Sequence, residues 1–182
     1  MRFTPAPLKG AFIIDLQRHE DERGFFARAF CEREFQGHGL STPMVQTNVS
    51  FSKEKGTLRG MHYQAPPHEE AKLIRCTRGS IYDVIVDVRP DSSSFLEWMG
   101  VELSSENGRM LYVPEGFAHG FLTLEESAEV AYQVSEFYTP GSERGIRYDD
   151  PEIGIDWPGE VRVLSDKDRT WPAFERSDAV EQ

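Results

Sequence analysis

Residues 81–88 read Ile81-Tyr82-Asp83-Val84-Ile85-Val86-Asp87-Val88, between a turn at Arg78-Gly79 and another at Arg89–Ser94. This is the clearest strand in the chain. In an extended backbone successive side chains point to opposite faces. Tyr82, Val84, Val86 and Val88 then form one face, and Asp83 and Asp87 sit on the other. The same alternation recurs outward in both directions. Upstream, Lys72–Thr77 sets Lys72, Ile74 and Cys76 on one face. Leu58–Gln64 alternates Gly60, His62 and Gln64 with Met61 and Tyr63, and Val45–Phe51 alternates Gln46, Asn48 and Ser50 with Thr47, Val49 and Phe51. Ala11–Leu16 and Phe25–Phe30 are further strand candidates, and Cys31–Gln36 supplies one or two helical turns stopped by Gly37 and Gly39. Downstream, Phe95–Leu103, Met110–Val113 and Glu129–Phe137 are extended, with Tyr132 sharing a face with Val130 and Val134. Tyr138–Arg147 reads as a loop, and Leu164–Asp168 as polar and turn-like. About eight to eleven short strands with almost no helix predict an all-β fold, an antiparallel barrel or a double-sheet jelly roll.

Composition narrows the function. A chain of 182 residues is expected to form one domain spanning 1–182 with its own core, its last ten or so residues mobile. A formal charge of −11 argues against nucleic acid and anionic membrane surfaces as partners, while leaving room for an anionic small ligand in a basic cleft. Cys31 and Cys76 make neither a disulfide framework nor a metal spacing, which fits a reducing cytoplasm. No stretch approaches the length of a membrane span.

The stretch Gly56-Thr-Leu-Arg-Gly-Met-His-Tyr-Gln64 carries the chemistry. Arg59 and His62 lie three residues apart, with Gly60 between them leaving space beside His62 for something other than protein. A second glycine-spaced histidine, His119, follows Pro114-Glu115-Gly116-Phe117-Ala118. Gln46, Asn48 and Ser50 line a cavity or else form a solvated face, and Lys72 faces the same cavity or else snorkels to water. Hydrolysis by a nucleophile is disfavoured, since no Gly-x-Ser-x-Gly elbow exists. Metal chemistry is weighed through Gly108-x5-Pro114-x-Gly116-x2-His119, which looks like the second cupin motif with Thr123 in place of its final asparagine. The first motif, His-x-His, is here His62-Tyr63-Gln64 and lacks a ligand. Proton transfer at carbon asks for a base, an oxyanion stabiliser and an acid. His62, Lys72, Tyr132 and a carboxylate near the C-terminus are the residue types for it.

The chain resembles the dTDP-4-dehydrorhamnose 3,5-epimerase family. The resemblance rests on Arg23-Gly24-Phe25-Phe26, Gln46-Thr47-Asn48-x-Ser50, Leu58-Arg59-Gly60-Met61-His62-Tyr63-Gln64, Lys72, Pro114-x-Gly116-Phe117-Ala118-His119-Gly120-Phe121, Tyr132 and Leu164-Ser165-Asp166-Lys167-Asp168, in the family's order. It implies a cupin-like jelly roll with a few short helical turns, no cofactor, a metal-free site and a homodimer with exchanged strands. It also implies a nucleotide-diphosphate sugar as ligand, with dTDP as the nucleotide. By resemblance His62 is the base, Asp168 its partner, Tyr132 the acid, and Lys72 the residue facing the keto oxygen. Arg59 and His119 line the sugar and diphosphate region, Gln46 and Asn48 reach the ligand, and Tyr138 stacks on the base. Glu143 and Lys167 match ligand-contacting positions, and Arg23 approaches the nucleotide from the partner subunit. Two positions depart from the pattern. Arg28 stands for a glutamate and Thr47 for an aspartate, both near the expected nucleotide. A single-centre epimerase, or one for another nucleotide sugar, would share the proton-transfer residues. A metal-dependent cupin oxygenase or isomerase and a non-catalytic sugar-nucleotide binding module are the alternatives of other classes.

Overall fold

The structure is a computed structural model that describes residues 1–40 and 43–174. The expected mobility of the final ten or so residues falls almost wholly outside the described residues. Thirteen strands and two short helices follow one another among them. They are β1 (Arg2–Pro5), β2 (Phe12–Asp15), β3 (His19–Asp21), β4 (Gly24–Phe26), α1 (Glu32–Gly37), β5 (Gln46–Ser52), β6 (Leu58–Gln64) and β7 (Lys72–Arg78). After these come β8 (Ser80–Asp87), β9 (Trp98–Ser104), β10 (Met110–Val113), β11 (Phe117–Thr123), β12 (Ala128–Val134), β13 (Glu143–Gly145) and α2 (Asp166–Arg169). A six-stranded sheet runs β1-β2-β10-β7-β12-β5 and a five-stranded sheet β13-β6-β11-β8-β9; β3 and β4 form a separate hairpin. Every ladder between these strands is antiparallel. The double-sheet jelly roll expected from alternation is therefore what forms.

The two sheets face each other, and alternation decides which side chains meet. Ile81 and Ile85 from β8, Leu103 from β9 and Phe117 and Phe121 from β11 pack against Ile74 and Cys76 from β7, Leu111 from β10 and Val130 from β12. Ile74, Ile81 and Ile85 are fully buried; each such side chain stabilises the fold by about 1.5–3 kcal/mol. The opposite face of β8, carrying Tyr82, Val84, Val86 and Val88, packs outward under Ile153, Ile155, Trp157 and Phe174 of the C-terminal stretch. Both faces of β8 are therefore covered. Asp83 and Asp87, which share their face with Ile81 and Ile85, are fully buried. The outer face of the larger sheet is closed by Phe35 of α1 and by Leu40.

Several boundaries differ from the sequence reading for identifiable reasons. Phe25–Phe30 is strand only to Phe26, because Ala29 and Phe30 leave the hairpin to pack against the cluster around Phe35. β9 begins at Trp98 rather than Phe95, since Leu96 adopts a left-handed φ of 63° in a turn tied to the Asp87 carbonyl. β12 stops at Val134 instead of Phe137: Ser135 turns its hydroxyl to accept from the Ala71 N–H, and Phe137 is exposed. The Leu164–Asp168 turn is the start of α2, capped by Ser165, whose hydroxyl accepts from the Asp168 N–H. Gly60 serves a purpose other than the one expected. A Cβ placed there would lie 2.5 Å from Gly120 Cα, so the missing side chain admits the backbone of β11 rather than a ligand.

Candidate active site

Between the sheets, walled by β5, β6, β7 and β12, lies a cavity of about 740 Å3. Each wall follows from strand alternation. β6 in the smaller sheet contributes His62 and Gln64; β5, β7 and β12 in the larger sheet contribute Gln46, Asn48 and Ser50, Lys72, and Tyr132. The polar face of β5 therefore lines the cavity rather than meeting solvent, and Lys72 points inward, 6% exposed. Leu164, Ser165, Lys167 and Asp168, delivered by the C-terminal stretch, close a third side. That stretch is held by a parallel bridge from Val163 to Thr57 and by the cap on α2.

His62 and Asp168 meet at 2.6 Å between Nε2 and Oδ1. Burial alone would raise the Asp168 carboxyl. The hydrogen bonds from His62 and Ser165 and the approach of the Gly60 N–H outweigh it and hold the group below the usual carboxylate range. An ionised Asp168 accepts, so Nε2 carries the proton and Nδ1 is left as the basic nitrogen. Behind the imidazole lies Trp171, its ring centroid 6.1 Å away and edge-on. The indole fits there because Gly145, the cross-strand partner of His62, has no side chain to occupy the space.

Tyr132 belongs to the opposite sheet. Burial, first, and the negative charge of Glu70, second, push its phenol above the ordinary range. A raised value keeps the proton in place at neutral pH, which suits an acid. Diagonally beside it on β7, the Lys72 ammonium donates to the His62 carbonyl at 3.3 Å and pairs with Glu70 at 3.1 Å.

Of the predicted binding residues, Arg59, His119, Tyr138, Glu143 and Lys167 also line the cavity. His119 Nε2 lies 2.8 Å from Asp83 Oδ1. Lys167 pairs with Glu143. Arg59 donates to Ser52 Oγ at 3.2 Å and to the Phe51 carbonyl at 3.0 Å and meets no carboxylate among the described residues. It is the cation best placed to neutralise an incoming anion. Tyr138 is exposed.

Three predicted residues are not brought to this cavity. Thr47 lies on the exposed face of β5, because its neighbours Gln46 and Asn48 take the inner one. Arg23, at the tip of the β3–β4 hairpin, pairs with Asp21 at 2.6 Å. Arg28 pairs with Glu34 of α1 at 2.8 Å. Conversely, sequence reasoning passed over Glu70, Asp83, Ser165 and Trp171. Glu70 could have been found two residues before Lys72, within reach of its ammonium. Ser165-x-x-Asp168 is a helix-start signal. Nothing local announces that Asp83 meets His119.

The two histidines are cross-strand partners on β6 and β11. Each Nε2 is already engaged by an aspartate, and no group of three His, Cys, Asp or Glu side chains that could hold a metal ion occurs among the described residues.

The fold and its solved relatives define the class, an isomerase on a cupin-like jelly-roll scaffold, with His62 and Tyr132 on opposite walls of the cavity between the sheets. A family model described as dTDP-4-dehydrorhamnose 3,5-epimerase matches residues 5–176. The chain is 47% identical over 173 residues to the dTDP-4-dehydrorhamnose 3,5-epimerase of Methanothermobacter thermautotrophicus, covering 93% of this chain and 92% of that one. The crystal structure of dTDP-4-dehydrorhamnose 3,5-epimerase from Elizabethkingia anophelis superposes with a TM-score of 0.93 at 42% identity, covering 96% of each chain. A dTDP-6-deoxy-D-glucose-3,5-epimerase from Legionella pneumophila, in complex with dTDP-4-keto-L-rhamnose, gives 0.88 at 40% identity over 93% of this chain and 90% of that one. The chain belongs to the dTDP-4-dehydrorhamnose 3,5-epimerase family.

Proposed function

We propose that this chain inverts C3 and C5 of dTDP-4-dehydro-6-deoxyglucose to give dTDP-4-dehydrorhamnose, with His62 as base and Tyr132 as acid. The observation that carries the reading is the His62–Asp168 pair facing, across one cavity, a half-buried phenol on the other sheet. The ketone at C4 acidifies the hydrogens at C3 and C5. His62 Nδ1 takes one of them, and the C–H electron pair moves into an enolate whose oxygen is stabilised by the Lys72 ammonium. Tyr132 then returns a proton to the opposite face of the same carbon, which inverts it. Proton exchange with water resets the pair, and the sequence repeats at the second carbon. Arg59, with neutral partners only, binds the diphosphate as a charge-assisted donor, joined by Lys167. His119, Gln46 and Asn48 contact sugar and phosphate oxygens, Glu143 a ligand hydroxyl, and Tyr138 stacks on the base.

In this reading a second copy of the chain completes the nucleotide end by bringing Arg23 of its own β3–β4 hairpin, with Arg28 and Thr47 near the same contact. Exposed Phe25, Phe26, Val49 and Phe51, beside these residues in sequence, support an apolar contact between copies.

The test is turnover of dTDP-4-dehydro-6-deoxyglucose in deuterium oxide, followed by proton NMR. Deuterium at both C3 and C5 is expected. Exchange at one carbon alone would make this a single-centre epimerase, and exchange at neither would end the proposal.

A further inference from the structure

Among the described residues, Glu70 is the one carboxylate lining the cavity for which the reaction above has no use. It lies in the stretch leading into β7, two residues before Lys72, with its side chain 14% exposed. One oxygen, Oε1, meets Lys72 Nζ at 3.1 Å. The other, Oε2, accepts from Gln64 Nε2 at 3.4 Å, a weak contact, because the same amide also donates to the His68 and Phe137 carbonyls at 3.1 and 3.2 Å. Lys72 in turn reaches the carbonyl of His62, so one ammonium links the strand of the base to the strand beside the acid.

We infer that Glu70 is a positioning residue of this site, holding the Lys72 ammonium where the enolate oxygen forms and setting a negative charge before the Tyr132 phenol. The inference rests on the epimerase reading above. A lysine has four rotatable side-chain bonds and three donors, so without an acceptor on its far side it does not hold one position. The Glu70 carboxylate and the His62 carbonyl supply two acceptors and leave the third donor for the sugar oxygen. The same carboxylate disfavours a tyrosinate nearby, so the phenol keeps its proton until a carbanion is there to receive it. The charges that face Tyr132 are Glu70 and Glu143, which oppose its ionisation, and Arg59, which favours it. Lys72, His62 and His119 line the same cavity.

Two variants separate the two effects. Glu70→Gln keeps the shape and removes the charge. Tyr132 acts as the protonated phenol, so activity is lost as pH rises through its pKa. Removing a negative neighbour lowers that pKa, and the alkaline limb of the kcat profile moves to lower pH. Glu70→Asp keeps the charge and shortens the reach. It leaves the limb near its wild-type place while kcat falls roughly 10- to 100-fold from a misplaced ammonium. In both variants KM for the dTDP-sugar changes less than kcat. Deuterium incorporation by the wild-type protein is measured alongside. If the wild type exchanges both carbons while Glu70→Gln keeps its alkaline limb and its kcat, the role of Glu70 is refuted and the epimerase reading stands. If the wild type exchanges neither carbon, both fall together.

Discussion

Among the described residues, two imidazole–carboxylate pairs lie on neighbouring strands, and they are built differently. His119 meets Asp83 inside the five-stranded sheet. Asp83 lies on β8, which pairs with β11, and both side chains point into the layer between the sheets. The His119 side chain is 11% exposed and Asp83 fully buried, its Oδ2 without a hydrogen-bond partner. His62 is 31% exposed to the cavity, and its aspartate comes from outside the sheets, on the four-residue helix α2, 106 residues along the chain. The difference teaches that the same contact can serve the fold or the chemistry. His119 also lines the cavity, but its carboxylate partner is sealed in the core, where a buried charge left unpaired is costly. The His62 pair sits more openly at the cavity wall, and in the proposed reaction its free nitrogen takes the proton while the sheets stay as they are.

The sharpest way to break this comparison is to remove each carboxylate. Asp168→Ala is expected to lower kcat by about a hundred- to ten-thousand-fold, the range for loss of general-base function. Its far-ultraviolet circular dichroism should stay close to wild type, and its urea midpoint should fall less than in Asp83→Ala. Asp83→Ala is expected to do the reverse, costing about 3–5 kcal/mol in urea unfolding as a broken buried pair does. The kcat of the protein that remains folded should fall less than in Asp168→Ala. Equal loss of stability in both variants would mean that the two pairs are structurally equivalent.

The same contrast explains what could be read from the sequence. Alternation assigned His62, Lys72, Tyr132, Gln46 and Asn48 to their strand faces, because a strand's period of two needs only local information. It could not tell a solvated face from a cavity wall, since that depends on which sheet lies opposite. β1, β3 and β13 were missed because three or four residues carry too little pattern, and the longer β11 because Pro114, Gly116 and Gly120 break up its alternation. Asp83 was placed on a face but not against His119, 36 residues away, because pairing register is a property of the assembled sheet. Gly60 was read as room for a ligand when its neighbour is Gly120. Assigning roles to the site residues needed the family's motifs in addition to alternation.

Acid sharpens the comparison further. The folded Asp168 carboxyl is held below its unfolded value of about 3.9. Its contribution to stability is therefore complete above that pH and is lost as pH falls through the lower, folded value. Wild-type stability should decline below about pH 4 more steeply than that of Asp168→Asn, which cannot titrate there. Urea unfolding in steps from pH 5 down to pH 2 compares the two slopes. Parallel curves would mean that Asp168 is not held by His62 and Ser165 in solution.

The smallest expected effect tests the weakest link in the cavity-wall pair. α2 has only four residues, and the Ser165 hydroxyl caps it by accepting from the backbone N–H of Asp168 itself. Ser165→Ala removes that cap, at about 1 kcal/mol for a typical N-cap. A loss of that size in a helix resting on the sheets should barely move the global urea midpoint. It should instead let α2 open locally, and Asp168 leave His62, more often than in the wild type. The expected result is a severalfold fall in kcat, with faster amide exchange confined to residues 166–170. Its readout is hydrogen exchange followed by mass spectrometry on the folded protein. Were exchange to rise instead across β8 and β11, the C-terminal helix would be part of the cooperative sheet core, and His62 would belong with His119 as a residue whose partner is supplied by the fold itself.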